Sequence, residues 1–195
     1  ALFLTPAAGE TEGLAAALAG LGWRRLGRQV ALGCDLPQPE LGLPPGVAVE
    51  EIGPRQLNLW GSTLVRAYEV SPATGREIRA GWTSLLRTPG EGARARFYLA
   101  WLSGRPVGTG LYWGQGDVAG FYCGAVLPEH RRQGVERATM LRRMADAARD
   151  GRRAGMLQTE PGSPVEHLCL EHLGFRREYT RDLWVPPAQS GRDCE

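Results

Sequence analysis

The stretch Val126-Leu127-Pro128-Glu129-His130-Arg131-Arg132-Gln133-Gly134-Val135-Glu136-Arg137 constrains this chain more than any other. The run before it, Val118 to Val126, is apolar and broken only by glycines. After it, Ala138, Leu141, Ala145 and Ala148 recur at a spacing that predicts one face of a helix. The layout is therefore a strand, a short basic turn and a helix N-terminus. The first N–H groups of a helix have no intrahelical partner, and its dipole favours negative charge there, so the turn is suited to an anion. Gly134 lets the backbone approach a ligand closely. Arg131 and Arg132 carry forked donors that match phosphate oxygens. The chain has no lysine, which excludes a P-loop. An arginine-rich surface turn is the plainer alternative.

The elements around this stretch can be read in order. Ala1 to Thr5 reads as a buried strand, Leu14, Ala15, Leu18 and Leu21 as a helix face ended by Gly22, and Trp23 to Leu32 as a second strand. Leu36 to Gly46 holds four of the 14 prolines and reads as a linker. Val47-Ala48-Val49 starts a larger unit as a strand. Helices follow over 55–68 and 72–88, with Pro72 at a helix start and Pro89-Gly90 as a stop. Three strands joined by hairpins come next, at 96–102, 106–113 and 118–126; Ser103-Gly104-Arg105 and Gly114-Gln115-Gly116-Asp117 supply the turns. Then come a helix over 133–150, a strand over 156–159, a helix over 164–173 and a strand over 175–185. Pro186-Pro187 ends the order.

Composition narrows the function classes. Hydrophobic residues make up 43% and charged residues 23%, as in globular proteins. A net charge of +2 is too balanced for a general nucleic-acid binder. Without lysine there is no Schiff-base chemistry. No apolar run approaches the roughly 20 residues of a membrane-spanning helix. Ala1 to Thr5 has no basic n-region of a signal peptide. The chain opens without an initiator methionine, as it would had an upstream piece been removed. Cys34, Cys123, Cys169 and Cys194 lack metal or disulfide spacing, so no metal is expected and a reduced, cytoplasmic protein is the simplest expectation.

Val-x-Pro-x-x-Arg-x-x-Gly-Val, placed between a strand and an amphipathic helix, resembles the acyl-coenzyme A loop of the GNAT (GCN5-related) N-acetyltransferases. The order from 46 to 186 is also that family's order. The resemblance implies an α/β GNAT fold: a mixed, mostly antiparallel central sheet flanked by helices. It implies acetyl-CoA as acyl donor, held by Gly124, Ala125, Val126, Arg131, Arg132, Gln133, Gly134, Val135, Glu136 and Arg137. The pyrophosphate would sit on the turn, and the pantetheine arm between strands 118–126 and 156–159, which splay apart. Gly124 is a plausible bulge position whose freed N–H would polarise the thioester carbonyl; an ordinary glycine in a crowded sheet is the alternative. One position departs from the family: Glu136 stands where a glycine or alanine is usual. A carboxylate there either faces the pyrophosphate or turns outward to solvent along the first helical turn, and the outward orientation is expected.

The implied chemistry is transfer of an acetyl group to an amine of a small molecule or peptide, by direct attack in a ternary complex. The alternative is a catalytically silent GNAT-fold protein that binds CoA or a metabolite. The catalytic residues stay unknown. A tyrosine that supplies the leaving-group proton in many relatives is replaced by Leu170. His167 and His172 flank a stripe of Val165, Cys169 and Leu173 and read as solvated, with Cys169 in the core. Glu160 and Glu69 are base candidates or solvated loop carboxylates. The acceptor is expected between Tyr68 to Ala73, the hairpin residues Tyr112 and Trp113, and Trp184; aromatic core packing is the other reading of those residues.

The first unit matches the end of the same chain. Leu21-Gly22-Trp23-Arg24-Arg25 parallels Leu173-Gly174-Phe175-Arg176-Arg177, each after a strand and a helix. Residues 1–36 thus read as a strand-helix-strand remnant of a second, degenerate GNAT-like unit, 37–45 as the linker, 46–187 as the acetyltransferase domain and 188–195 as a tail. A piece this small cannot bury its own face, so it is expected to pack on the main domain or to pair with another chain, for instance in a homodimer. Neither nucleic acid nor membrane is expected as a partner.

Overall fold

The computed structural model describes residues 3–6, 11–37, 42, 44–87 and 94–187. The expected tail and most of the linker lie outside these residues. The elements are β1 (Phe3–Pro6), α1 (Thr11–Gly20), β2 (Arg24–Asp35), β3 (Val47–Ile52), α2 (Leu57–Ala67), α3 (Pro72–Arg87), β4 (Arg94–Leu102), β5 (Arg105–Gln115), β6 (Val118–Val126), α4 (Val135–Arg149), β7 (Ala154–Thr159), α5 (Pro164–His172) and β8 (Arg176–Val185). Short 3-10 turns cover Pro54–Gln56 and Pro128–His130. All strands join one sheet, in the order β1-β8-β2-β7-β6-β5-β4-β3. Every described pairing is antiparallel except that of β6 with β7.

From β3 to β6 the sheet is built by local hairpins. Ser103 and Gly104, with φ of 49° and 74°, close the β4–β5 turn, whose positive φ angles suit the right-handed twist of the flanking strands. Side chains alternate between the two faces. Tyr98 and Ala100 face α4 and α5, in a core with Val30, Leu32, Val107, Met140, Met144, Ala147, Cys169 and Leu173. Phe97 and Leu99 face α2, where they pack with Trp60, Leu64, Leu111 and Leu127. The Trp60 ring meets Phe97 edge-on at 4.9 Å, and its indole N–H donates to the Gly110 carbonyl at 3.2 Å. The indole end is therefore satisfied despite burial.

The first unit is built into the sheet. β2 lies between β7 and β8 and is hydrogen-bonded to both. β1 pairs with β8 at the edge. The order β1-β8-β2-β7 maps onto itself when β1 is exchanged for β7 and β2 for β8. These are the strand pairs matched by the sequence repeat, so the strand order of this half of the sheet is the same read from either end.

One helix face differs from expectation. Ala145 of α4 is exposed, and the buried side runs through Ala138, Met140, Arg143, Met144 and Ala147. Small alanines leave the periodicity ambiguous. The face is decided by a buried arginine whose donors find partners in the sheet.

Candidate functional site

β6 and β7 pair only from Val118↔Ala154 to Gly120↔Met156. Beyond Met156, β7 continues alongside β2 while β6 turns away, so the two strands form an open wedge. A bulge bends β6 at this point: Leu111 faces Tyr122 but Thr109 faces Ala125, which gives β6 one extra residue. Cys123 carries the bulge with a φ of 51°, beside the expected position Gly124. The Thr109 hydroxyl donates to the Cys123 carbonyl at 2.9 Å and fixes the bend.

The wedge opens onto a cavity of about 670 Å³. Nine of the ten expected cofactor residues line it: Gly124, Ala125, Val126, Arg131, Arg132, Gly134, Val135, Glu136 and Arg137. Gln133 does not, and its amide donates to the Glu129 carbonyl at 3.3 Å. Ala67 and Tyr68, where α2 ends, also line it, and α5 contributes Pro164, Val165 and Leu168.

The turn has the geometry of an anion site. Gly134 is the N-cap of α4 with φ of 79°, in the left-handed region. A Cβ there would stand 2.8 Å from Pro44 Cβ, so the linker also requires glycine. Arg137 donates to the Gly42 carbonyl at 2.9 Å. The two turn arginines are not equivalent. Arg131 donates to the Ala67 carbonyl at 3.2 Å and to the Glu69 carboxylate at 3.1 Å, which ties the turn to the α2–α3 link. Arg132, with φ of 61°, lines the cavity without an ion pair among the described residues.

Glu136 does not turn outward as expected. Its side chain is 21% exposed and points into the wedge, with Oε1 3.6 Å from Arg143 Nη2. The physical reason is Arg143, whose side chain is 1% exposed and which attracts the carboxylate. Arg143 donates from Nε to the Thr139 carbonyl at 3.2 Å and from Nη1 to the Tyr122 carbonyl at 3.1 Å, beside the bulge. Its guanidinium carbon lies 5.7 Å from the Phe121 ring centre. Burial raises the Glu136 pKa, and the Arg143 charge acts against that rise.

A family model described as an acetyltransferase (GNAT) domain matches residues 55–156, just over half of the 195-residue chain. The chain belongs to the GNAT acetyltransferase family. Acyl transfer is the general chemistry of that family. Among solved structures, this GNAT chain is similar to a GCN5-related N-acetyltransferase from Sphaerobacter thermophilus, with a TM-score of 0.71 at 18% identity. That match covers 94% of this chain and 58% of the other. A GCN5-related N-acetyltransferase from Kribbella flavida gives 0.64 at 20% identity, over 90% and 64%. A tandem GNAT protein from the clavulanic acid biosynthesis pathway gives 0.65 at 19%, over 92% and 59%. At these identities the likeness shows the fold alone. The GNAT chain spans roughly three fifths of the length of these three relatives. No curated protein matches it.

Several expected GNAT site residues lie elsewhere. Tyr112 is fully buried in the α4 core, and its hydroxyl accepts from Arg152 at 3.1 Å, so it cannot face an acceptor. Trp184 is buried at the far end of β8, where it pairs with β1 and β2. His167 and His172 are about three fifths exposed and lie against Glu171. Cys169 is fully buried, and burial pushes its thiol up to about 12, as for Cys123. Glu160 is exposed and off the cavity, and Glu69 is taken up by Arg131. The residue that sequence reasoning missed is Arg143. No helix among the described residues is long and apolar enough to cross a membrane, and none of the described His, Cys, Asp and Glu residues cluster to hold a metal.

Proposed function

We propose that this chain is an N-acyltransferase that moves the acetyl group of acetyl-CoA to an amine of a small molecule or peptide. One observation carries the reading. The free N–H groups of the α4 N-terminus and the unpaired, bulged edge of β6 open on the same cavity. The first would receive the pyrophosphate, with Arg132 and Arg137 at the rim. The second would run beside the acyl arm as an added strand does, through Gly124, Ala125 and Val126. An acceptor would enter past Tyr68, which lines the same cavity. There the amine nitrogen would form the new bond to the thioester carbon, the C–S bond would break, and the proton lost by the amine would leave with the thiolate.

A second reading is a silent GNAT fold that binds CoA or a metabolite without turnover. Glu136 inside the wedge and Leu170 in place of a hydroxyl favour it. Calorimetry with acetyl-CoA, then an amine panel read by thiol release, separates the two. Acetyl-CoA should also raise the melting temperature, since it binds only the folded state. Arg131→Ala with Arg132→Ala should shrink that rise, at roughly 1.5–3 kcal/mol per lost charged contact. Equal shifts in parent and variant would remove this turn from the site. Binding without release from any amine would favour the silent fold.

A further inference from the structure

Glu136 is the only carboxylate among the described residues that line the cavity. Its Oε1 stands 2.7 Å from the point where a Cβ on Gly124 would be, so it fills the wedge beside the bulge. Opposite it is a buried donor without an acceptor. Arg143 Nη2 makes no hydrogen bond, although Nε and Nη1 are both engaged. At 3.6 Å the Glu136 contact is electrostatic and too long for a hydrogen bond. The same Nη2 lies 3.2 Å from the Gly124 Cβ point, on the strand edge that the acyl arm would follow.

We propose that Glu136 is a latch on acyl-CoA entry. Its carboxylate occupies the track of the acyl arm, the arm enters by displacing it from Arg143, and Arg143 Nη2 then donates to a carbonyl oxygen of the arm. This rests on the acyl-CoA reading of the cavity. The two partners differ in freedom. Glu136 sits in the first turn of α4, at the cavity wall, and its side chain already touches solvent, so a change of rotamer returns the charge to water. Arg143 is held by three carbonyls, those of Thr139, Leu111 and Tyr122, and its side chain is 1% exposed. A buried guanidinium that loses its anion needs another acceptor. An amide or thioester carbonyl supplies one and brings no new charge into the wedge. A nucleotide without an arm reaches only the α4 N-terminus and leaves the latch shut.

Calorimetric titration of the parent, Glu136→Ala and Glu136→Gln with two ligands tests this. The ligands are acetyl-CoA and adenosine 3′-phosphate 5′-diphosphate, which has the same phosphates but no arm. Glu136→Ala should bind acetyl-CoA tenfold or more tightly than the parent does, with affinity for the armless nucleotide changed less than twofold. Glu136→Gln, which keeps the shape and loses the charge, should lie between them. It carries the test alone if the alanine variant does not fold. A gain for acetyl-CoA in a variant whose parent binds none also supports the latch. An equal gain for both ligands overturns it, because the charge would then act on the phosphates. No gain for acetyl-CoA also overturns it. If neither ligand binds the parent or any variant, the acyl-CoA reading itself fails and the latch fails with it.

Discussion

Arg143→Met removes the charge on which the wedge is organised and keeps only an unbranched apolar stem. The cost can be worked from its contacts. The Tyr122 carbonyl loses a charged donor at 3.1 Å. A hydrogen bond to a charged group is worth about 1.5–3 kcal/mol. The Thr139 carbonyl also lies within the helix ladder, so its loss is small. Glu136 loses its cation. Removing one partner of a fully buried pair costs about 3–5 kcal/mol, but Glu136 is 21% exposed and can turn to water, so that full cost does not apply. The sum is a loss of about 2–4 kcal/mol. For a chain of this size each kcal/mol moves the melting temperature by roughly 2–4 °C. Urea unfolding followed by tryptophan fluorescence, with coincident far-UV signal as the two-state check, measures it. A double-mutant cycle with Glu136→Gln should give a coupling of about 0.5–3 kcal/mol, as for residues in contact. A loss under about 1 kcal/mol would refute the view that Arg143 holds α4 to β6, and additive single effects would refute its coupling to Glu136.

Two further substitutions test the frame around the wedge. Gly134→Ala forces a side chain into φ of 79° and against Pro44, so the melting temperature should fall by several degrees, from a left-handed cost of about 1–2 kcal/mol plus the contact; unchanged melting would show that the linker yields. Glu166, capping α5, accepts from the Gly162 N–H at 2.5 Å and Arg177 Nε at 2.7 Å, and these contacts hold its carboxyl below the ordinary 4.5. A depressed folded value gives stability that is present above 4.5 and lost as pH falls through the folded value, so Glu166→Gln should melt earlier at neutral pH and show a flatter acid limb. Parallel melting curves in acid would count against it.

Much of this fold is legible in the sequence because its signals are local. Strands 118–126 and 175–185 and the hairpin at Ser103-Gly104 are each set by residues close in the chain, and the structure puts the elements within a few positions of the reading. The order β1-β8-β2-β7 is not local. The repeat of Leu-Gly-Trp-Arg-Arg by Leu-Gly-Phe-Arg-Arg shows that two strands are alike, yet only pairing shows that each lies beside the other unit's strand. Tyr112 and Trp184 fail for a related reason. An aromatic side chain has the same composition signal in a core as in a cleft, and the face is decided by register.

Glu136 and Arg143 had a signal, though it was not in their own letters. An arginine in an amphipathic helix reads as solvent-facing, and a carboxylate in a first turn reads as a favourable charge at the helix start. The glycines opposite them say otherwise. A glycine inside a strand weakens it unless something else approaches closely. A Cβ on Gly110 would stand 2.7 Å from Thr139 Cγ2 and 3.1 Å from Arg143 Cδ, and one on Gly124 would stand 2.7 Å from Glu136 Oε1. Gly110 and Gly124 belong to neighbouring strands, so together they leave a hollow the width of two side chains. A helix crossing that hollow can sink a long polar residue into it, provided carbonyls wait at the bottom. The bulge at Cys123 leaves the Tyr122 carbonyl where Arg143 can reach it. The missing side chains on β5 and β6, the bulge and the buried pair on α4 are therefore one arrangement, and the strand glycines are its part that can be read before the fold is known.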